Sequence, residues 1–396
     1  MRKLWVQIHL WLGLTIGLAL AIVSLSGAGL ALSTPLAKWE LGWMLFPKGI
    51  DQHAFAAMPA SGLPLDQWIE TARKAYPELH TVEVIAAPLS VPFPASVPLL
   101  AGAMDPALTK GKDLHIVVSV NPASGQPIGR IILEDTFLGN LLSFHATLLG
   151  GAAGFYFVAA SGFVALISLF SGLYLWWPRG VPWSRAFRLR TQSRGRLWLV
   201  SLHSVSAAWL FVPLILVTLS GSYLLTPAPY DRIASLMSPI REYRPAGPDR
   251  TPENCVQQIT TDQAVRSALA VHDGLVLRLV TKPENPCNPY IVSLSTRERL
   301  KSRALYTEVW VDRQSAKVLA SRRGDQLTGS ETLQAWMTPI HANLAAGVFG
   351  TIVVVLTGLA VPGLYVTGLL AWLRQQRARR ADTANAAPDS DESLTG

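Results

Sequence analysis

Four stretches of the chain contain no Asp, Glu, Lys or Arg: those between Lys3 and Lys38, Asp135 and Arg179, Arg196 and Asp231, and Glu331 and Arg374. Each is longer than the roughly 20 apolar residues a helix needs to cross a bilayer. The pattern predicts four transmembrane helices, in segments 1–35, 137–178, 197–226 and 336–374. Leu4 to Leu32 has the basic start of a secretory leader, but its apolar run is about twice the length of a leader core, so it is read as a retained helix.

The two long regions between these segments, 36–136 and 227–335, have a different pattern. Each opens a helix at an Asp-Gln pair: Asp66-Gln67, running to Tyr76 before Pro77, and Asp262-Gln263, running to Val271. Strand-like runs follow. The first region has Val82–Ala86 and Leu114–Val120, with a turn at Asn121 to Gly125. The second has Leu275–Val280, Tyr290–Leu294 and Glu308–Asp312, with a turn at Arg313 to Ser315. Each region is predicted to be a small α+β module. Pro88 to Pro106, with five prolines, reads as a loop, and Ala381 to Gly396 as a disordered tail within the final segment 375–396.

The halves of the chain resemble one another. Leu4-Trp5, His9 and Leu25-Ser26-Gly27 are matched by Leu197-Trp198, His203 and Leu219-Ser220-Gly221, with 18 residues from histidine to glycine in both. Gly154, Gly172 and Trp176 follow His145 by 9, 27 and 31 residues, and Gly350, Gly368 and Trp372 follow His341 by the same intervals. The fold class expected is a membrane α-helical protein: a four-helix bundle from a parallel internal repeat, bearing two small outer α+β modules.

Charge orients this arrangement. The chain carries a net charge of +8, which raises the question of nucleic acid, but the cations that no acids balance lie at helix ends. Arg2 and Lys3 precede the first segment, six arginines fill the loop 179–196, and Arg374, Arg377, Arg379 and Arg380 follow the last. Of 26 acids, 22 lie in the two long regions. The positive-inside rule then places both termini in the cytoplasm and both modules in the periplasm of a bacterial inner membrane. The arginines read as topology determinants, and no nucleic-acid partner is expected.

Ionisable side chains inside a membrane are costly and usually functional. Four of the eight histidines, His9, His145, His203 and His341, lie one in each uncharged segment. The direction in which each span runs puts His9 and His203 at one depth near the cytoplasmic face, and His145 with His341 near the outer face. Two opposed imidazoles at equal depth are what a six-coordinate b-type haem requires, so two haems b are expected. Gly13, Ala207 and Ala345 follow three of the histidines by four residues and leave room for a macrocycle, while Leu149 breaks the pattern. The plainer reading is that these small residues only allow close helix packing and that the histidines are satisfied polar groups. Zinc or copper fits less well, since no carboxylate or thiol stands near the pairs in sequence. His53, His80, His115 and His272 read as surface residues. No phosphate-binding glycine loop, nucleotide fingerprint or His-Glu-x-x-His occurs.

Leu4 to Gly27 with His9, the pair Phe144-His145, the exit Gly172-Leu173-Tyr174-Leu175-Trp176-Trp177-Pro178 and the two Asp-Gln modules together resemble the PepSY-associated transmembrane family, also described as iron-regulated membrane proteins. The resemblance extends to about Arg380. It implies kinship with haem-carrying ferric-siderophore reductases of the inner membrane. The expected function is therefore electron transfer through two haems to a ferric siderophore in the periplasm, with a cytoplasmic or quinol donor left open. The acceptor is expected between the two modules, with Pro88–Pro106 and Arg241–Pro252 as walls. Two other readings are a non-redox regulatory module that binds a peptide, and an iron-complex permease whose histidines line a pathway. The two cysteines, Cys255 and Cys287, lie in the second outer region, where an oxidising compartment favours a disulfide.

Overall fold

A computed structural model describes residues 1–50, 64–87, 95–109, 114–241, 255, 259–282, 285, 287–296, 305–342 and 347–385. In chain order its principal helices are α1 (Arg2–Thr15), α2 (Gly17–Leu30), α3 (Ser33–Leu45), α4 (Leu65–Ala75), α5 (Phe137–Thr147), α6 (Gly151–Trp176), α7 (Arg196–Trp209), α8 (Phe211–Leu225), α9 (Pro227–Ala234), α10 (Thr261–Ala270), α11 (Gly329–His341) and α12 (Gly347–Asn385). The strands are β1 (Val84–Ala86), β2 (Leu99–Ala103), β3 (His115–Val120), β4 (Pro127–Ile132), β5 (Val276–Thr281), β6 (Tyr290–Ser295), β7 (Thr307–Val311) and β8 (Val318–Arg322). Two compact units result. One comprises Met1–Gly29, Phe144–Leu225 and Thr351–Gly396, the other Leu30–Ser143 and Thr226–Gly350.

The helical unit corrects the expectation of uninterrupted spans. α1 and α2 meet at a 59° bend, α7 and α8 at one of 67°. At the first break, Thr15 Oγ1 donates to the Trp11 carbonyl, a back-bond that bends helices, and Gly17 weakens the next turn. At the second, Pro213 has no N–H to give the Trp209 carbonyl, and its ring crowds that group. α6 and the Gly347–Thr383 part of α12 are each long and apolar enough to cross a membrane, and each bent pair also qualifies as one span.

The second uncharged stretch is also interrupted. α5 ends at Thr147, Leu148 and Leu149 adopt φ of 49° and 59°, and helix resumes at Gly151. Two consecutive non-glycine residues in the left-handed region cost on the order of 1–3 kcal/mol each. Gly154 permits the turn, because a Cβ there would collide with the Thr147 carbonyl. His145 thus lies on the helix before the spanning one, and His341 closes α11 in the same way ahead of α12. Both had been expected inside their spans.

The second unit is built on a sheet. Its core side carries Leu65, Trp68 and Ala72 of α4 and Ala264, Val265 and Ala268 of α10, packed on Ile116, Val118, Val292 and Val309. On the other face, Ala37, Leu41, Met44 and Leu45 of α3 cover Ala86, Val97 and Leu99. Where two separate modules were expected, the strands form one eight-stranded antiparallel sheet in the order β4-β3-β2-β1-β5-β6-β7-β8. β1 pairs with β5 through Val84–Thr281, Ile85–Val280 and Ala86–Leu279. This pairing removes the two bare edges that separate modules would expose. β2 lies within the stretch read as a loop, since its Leu-Leu-Ala-Gly-Ala sequence has little strand propensity. β4 and β8 were also not anticipated.

Helix starts match their sequence signals: Thr260 with Gln263 and Thr328 with Glu331 form reciprocal capping boxes. Cys255 and Cys287 are joined by a disulfide, their Cα atoms 5.0 Å apart. α12 continues to Asn385, into the stretch expected to be disordered, and residues 386–396 lie outside those described. His53, Ala345 and, beyond Arg241, the wall expected at Arg241–Pro252 also lie outside them. Of the remaining outer histidines, His115 reaches Glu134 (2.8 Å) and His272 reaches Ser321 (2.7 Å).

Candidate functional site

The histidines of the helical unit are held by one recurring arrangement. His9 on α1 points its Nδ1 at the Ser168 carbonyl (3.1 Å) and Ser171 Oγ (3.0 Å) of α6. His203 on α7 points its Nδ1 at the Leu364 carbonyl (2.9 Å) and Thr367 Oγ1 (3.2 Å) of α12. His145 does the same to the Val23 carbonyl (2.9 Å) and Ser26 Oγ (3.1 Å) of α2. In each case the acceptors are a carbonyl and the hydroxyl three residues further on.

This geometry assigns the tautomer. A carbonyl oxygen only accepts, so Nδ1 must carry the proton and donate it. Each hydroxyl donates to the same carbonyl: Ser171 to Ser168 (2.9 Å), Thr367 to Leu364 (3.0 Å) and Ser26 to Val23 (2.7 Å). The hydroxyl oxygen is then the second acceptor for the imidazole N–H. With Nδ1–H committed, the lone pair of each neutral ring resides on Nε2, the atom that could bind a metal.

The residue after each hydroxyl is glycine, and it seats the ring. A Cβ on Gly27 would lie 2.8 Å from His145 Cε1, on Gly172 3.0 Å from His9 Cε1, and on Gly368 3.4 Å from His203 Cε1. The carbonyl, hydroxyl and glycine therefore form a socket spanning just over one helical turn. By sequence alone, Val217, Ser220 and Gly221 repeat that spacing in α8. The repeat of Ser26-Gly27 and Ser220-Gly221 was visible in the sequence, but not that such residues hold histidines.

Two of the sockets bring their histidines together. The ring centres of His9 and His203 are 6.2 Å apart with planes at 82°. Gly13, one turn beyond His9, has nothing within 4 Å of the position a Cβ would take, so the space there is open. Among the described residues no group of three or more His, Cys, Asp or Glu could hold a metal ion. Among the described residues the pair thus offers two imidazole nitrogens and no third His, Cys, Asp or Glu. A metal held by the pair would take its remaining ligands from elsewhere, as from a macrocycle. His145 and His341 fall in different compact units, so their pairing rests on the sequence spacing.

Residues 6–375 match the model of the PepSY-associated TM region. The chain belongs to that family and is a membrane-embedded protein with at least two apolar spans. A comparison with curated proteins finds no match.

Proposed function

We propose that this protein is a di-haem b-type electron-transfer protein, a four-helix bundle built on a parallel repeat, that reduces ferric siderophores. One observation carries the reading: the 6.2 Å separation of His9 and His203, each with Nδ1–H already engaged. That closeness supports a pair whose two Nε2 atoms would hold one group between them. The donor set suits haem: His9 and His203 would hold one group, and His145 and His341 the second. A haem bound in this way supplies a one-electron ferric–ferrous couple inside the membrane.

The chain's own residues do the rest. The sockets on α6 and α12 fix ring orientation and tautomer, and their acceptors raise the basicity of Nε2. Apolar spans keep water from the pair. Membership of the family suggests an iron-regulated membrane protein, which favours ferric siderophore as the substrate on the periplasmic side. Adding one electron to the bound ferric ion weakens its ligation by hard oxygen donors and releases the metal as ferrous iron. The reading puts the protein in a bacterial inner membrane with both termini in the cytoplasm, which the arginine distribution supports.

The test is an absorption spectrum of the purified protein with haem quantification. We expect a low-spin spectrum reducible by dithionite, with two haems per chain. His9→Ala and His203→Ala should each lose the same haem, and His145→Ala and His341→Ala the other. Four variants with full haem content and an unchanged spectrum would sink the ligand assignment. Reduced protein that stays reduced with every ferric siderophore offered, yet is oxidised by a quinone, would overturn the reductase reading alone.

A further inference from the structure

Between the arginine-rich loop and α7, the helical unit contains an open cavity of about 560 Å³. Ligand-binding pockets typically measure about 300–1,000 Å³. One wall is the arginine-rich loop, through Phe187, Arg188 and Thr191, and the other is α7, through Ser206 and Trp209. Ser206 stands three residues beyond His203, so the two are neighbours on one face of α7. The cavity therefore opens on α7 about one turn from His203.

Its lining combines flat and polar elements. Phe187 and Trp209 meet edge to face with ring centres 5.1 Å apart, and Trp209 Nε1 donates to the Phe187 carbonyl (3.3 Å), pinning loop to helix. Those rings offer a corner against which another flat ring can pack. Ser206, Thr191 and Arg188 bring hydroxyl and guanidinium donors suited to oxygens on such a ring. Phe187 joins the lining to the aromatic cluster of Trp176, Trp177 and Trp183, whose ring centres are 5.0 to 5.9 Å apart, and Trp209 is itself 67% exposed. Such clusters mark the membrane–water interface. Such a lining suits a flat ligand that carries oxygens at its edge and enters from the lipid.

We propose that this cavity binds the ring of a lipid-borne quinol, which is the electron donor to the His9–His203 side of the protein. The proposal rests on the haem reading above. The balance is simple: one quinol loses two electrons and two protons and becomes quinone. The electrons reduce two ferric haems to ferrous, one electron each, and the protons pass to water at the open mouth.

The experiment uses the full chain in lipid nanodiscs and titrates a short-chain benzoquinone or naphthoquinone by calorimetry. Saturable binding is expected, weakened at least tenfold by Ser206→Trp and by Thr191→Trp, both of which fill the cavity. Thr191 lies on the exposed loop, so that variant stays informative if the change on α7 impairs folding. Binding unmoved in folded forms of both variants would overturn the proposal, as would a cavity that takes up phospholipid and no quinone. A second arm adds the matching quinol to oxidised wild type and follows the haem bands. Bands that stay ferric despite quinol binding also overturn it. Failure of the haem reading looks different: the protein then has no haem bands, whether or not the quinone binds.

Discussion

Asp66 and Asp262 cap each other's helices. Asp66 accepts from the backbone N–H of Thr261 (3.0 Å) and of Asp262 (2.8 Å), while Asp262 accepts from the N–H of Leu65 (2.8 Å). α4 and α10 thus begin against one another while both pack into the same core of the sheet. Each carboxylate meets the positive end of the opposite helix, which favours it, yet the two acids also face each other.

That conflict sets a pH dependence. Burial, and then the charge of Asp66, push the Asp262 carboxyl up to about 6. Burial works against Asp66 as well, but the N–H donors of Asp262 and Thr261 outweigh it and hold that carboxyl below its usual range. A raised acid favours the folded state below its unfolded value of about 4, and this contribution is lost as pH rises through about 6. Asp66 acts oppositely: its contribution is present above about 4 and is lost on further acidification. Asp262→Asn keeps the acceptor for Leu65 and removes the second charge. Its melting temperature should fall less than wild type between pH 4.5 and 7.5, and an equal fall in both would count against the pair.

On the haem reading proposed above, the glycine sockets predict a graded series. Alanine at Gly172 places a Cβ 3.0 Å from His9 Cε1, and at Gly368 3.4 Å from His203 Cε1. Gly172→Ala should therefore lower haem content more than Gly368→Ala, which leaves ordinary contact. Gly27→Ala, at 2.8 Å from His145, should be the most damaging of the three. Pyridine haemochrome assays on the purified variants test the order, and equal haem in all three contradicts it.

On the same proposed haem reading, the socket hydroxyls should tune potential rather than occupancy. Ser171→Ala and Thr367→Val leave the carbonyl acceptor but remove the second oxygen facing each Nδ1. A less basic imidazole stabilises ferric iron less, so the midpoint should rise. A change of about 0.5 kcal/mol corresponds to roughly 20 mV for one electron. Redox titration followed in the haem bands measures it. Haem lost outright in both variants would assign the hydroxyls a structural role instead.

Glu331 anchors the start of α11. It is 1% exposed and pairs with Arg241 at 2.6 Å, while also accepting from the Thr328 and Arg241 N–H groups. Arg241, ahead of the opposing burial, holds its carboxyl down to about 2. A depressed acid contributes stability above its ordinary value near 4.5, lost as pH falls through about 2. Glu331→Gln should destabilise the protein by about 2 kcal/mol at neutral pH, the low side for a buried pair because Arg241 is partly exposed. Thermal unfolding at pH 7 and pH 3 should show the difference shrinking at the lower pH.

Hydrophobic patterning and charge were enough to read the membrane class, the apolar stretches, the Asp-Gln helix starts and one histidine in each stretch, because burial in lipid acts on residues one at a time. Three things were decided only in three dimensions. The breaks after Thr15, Thr147 and Trp209 depend on backbone geometry and local hydrogen bonds, to which a hydropathy average is blind. The single eight-stranded sheet forms by main-chain pairing between β1 and β5, which leaves no mark on side-chain composition. The sockets join residues about 160 positions apart, Ser168 to His9 and Leu364 to His203, and only packing of the helices shows which hydroxyl and which glycine meet which imidazole.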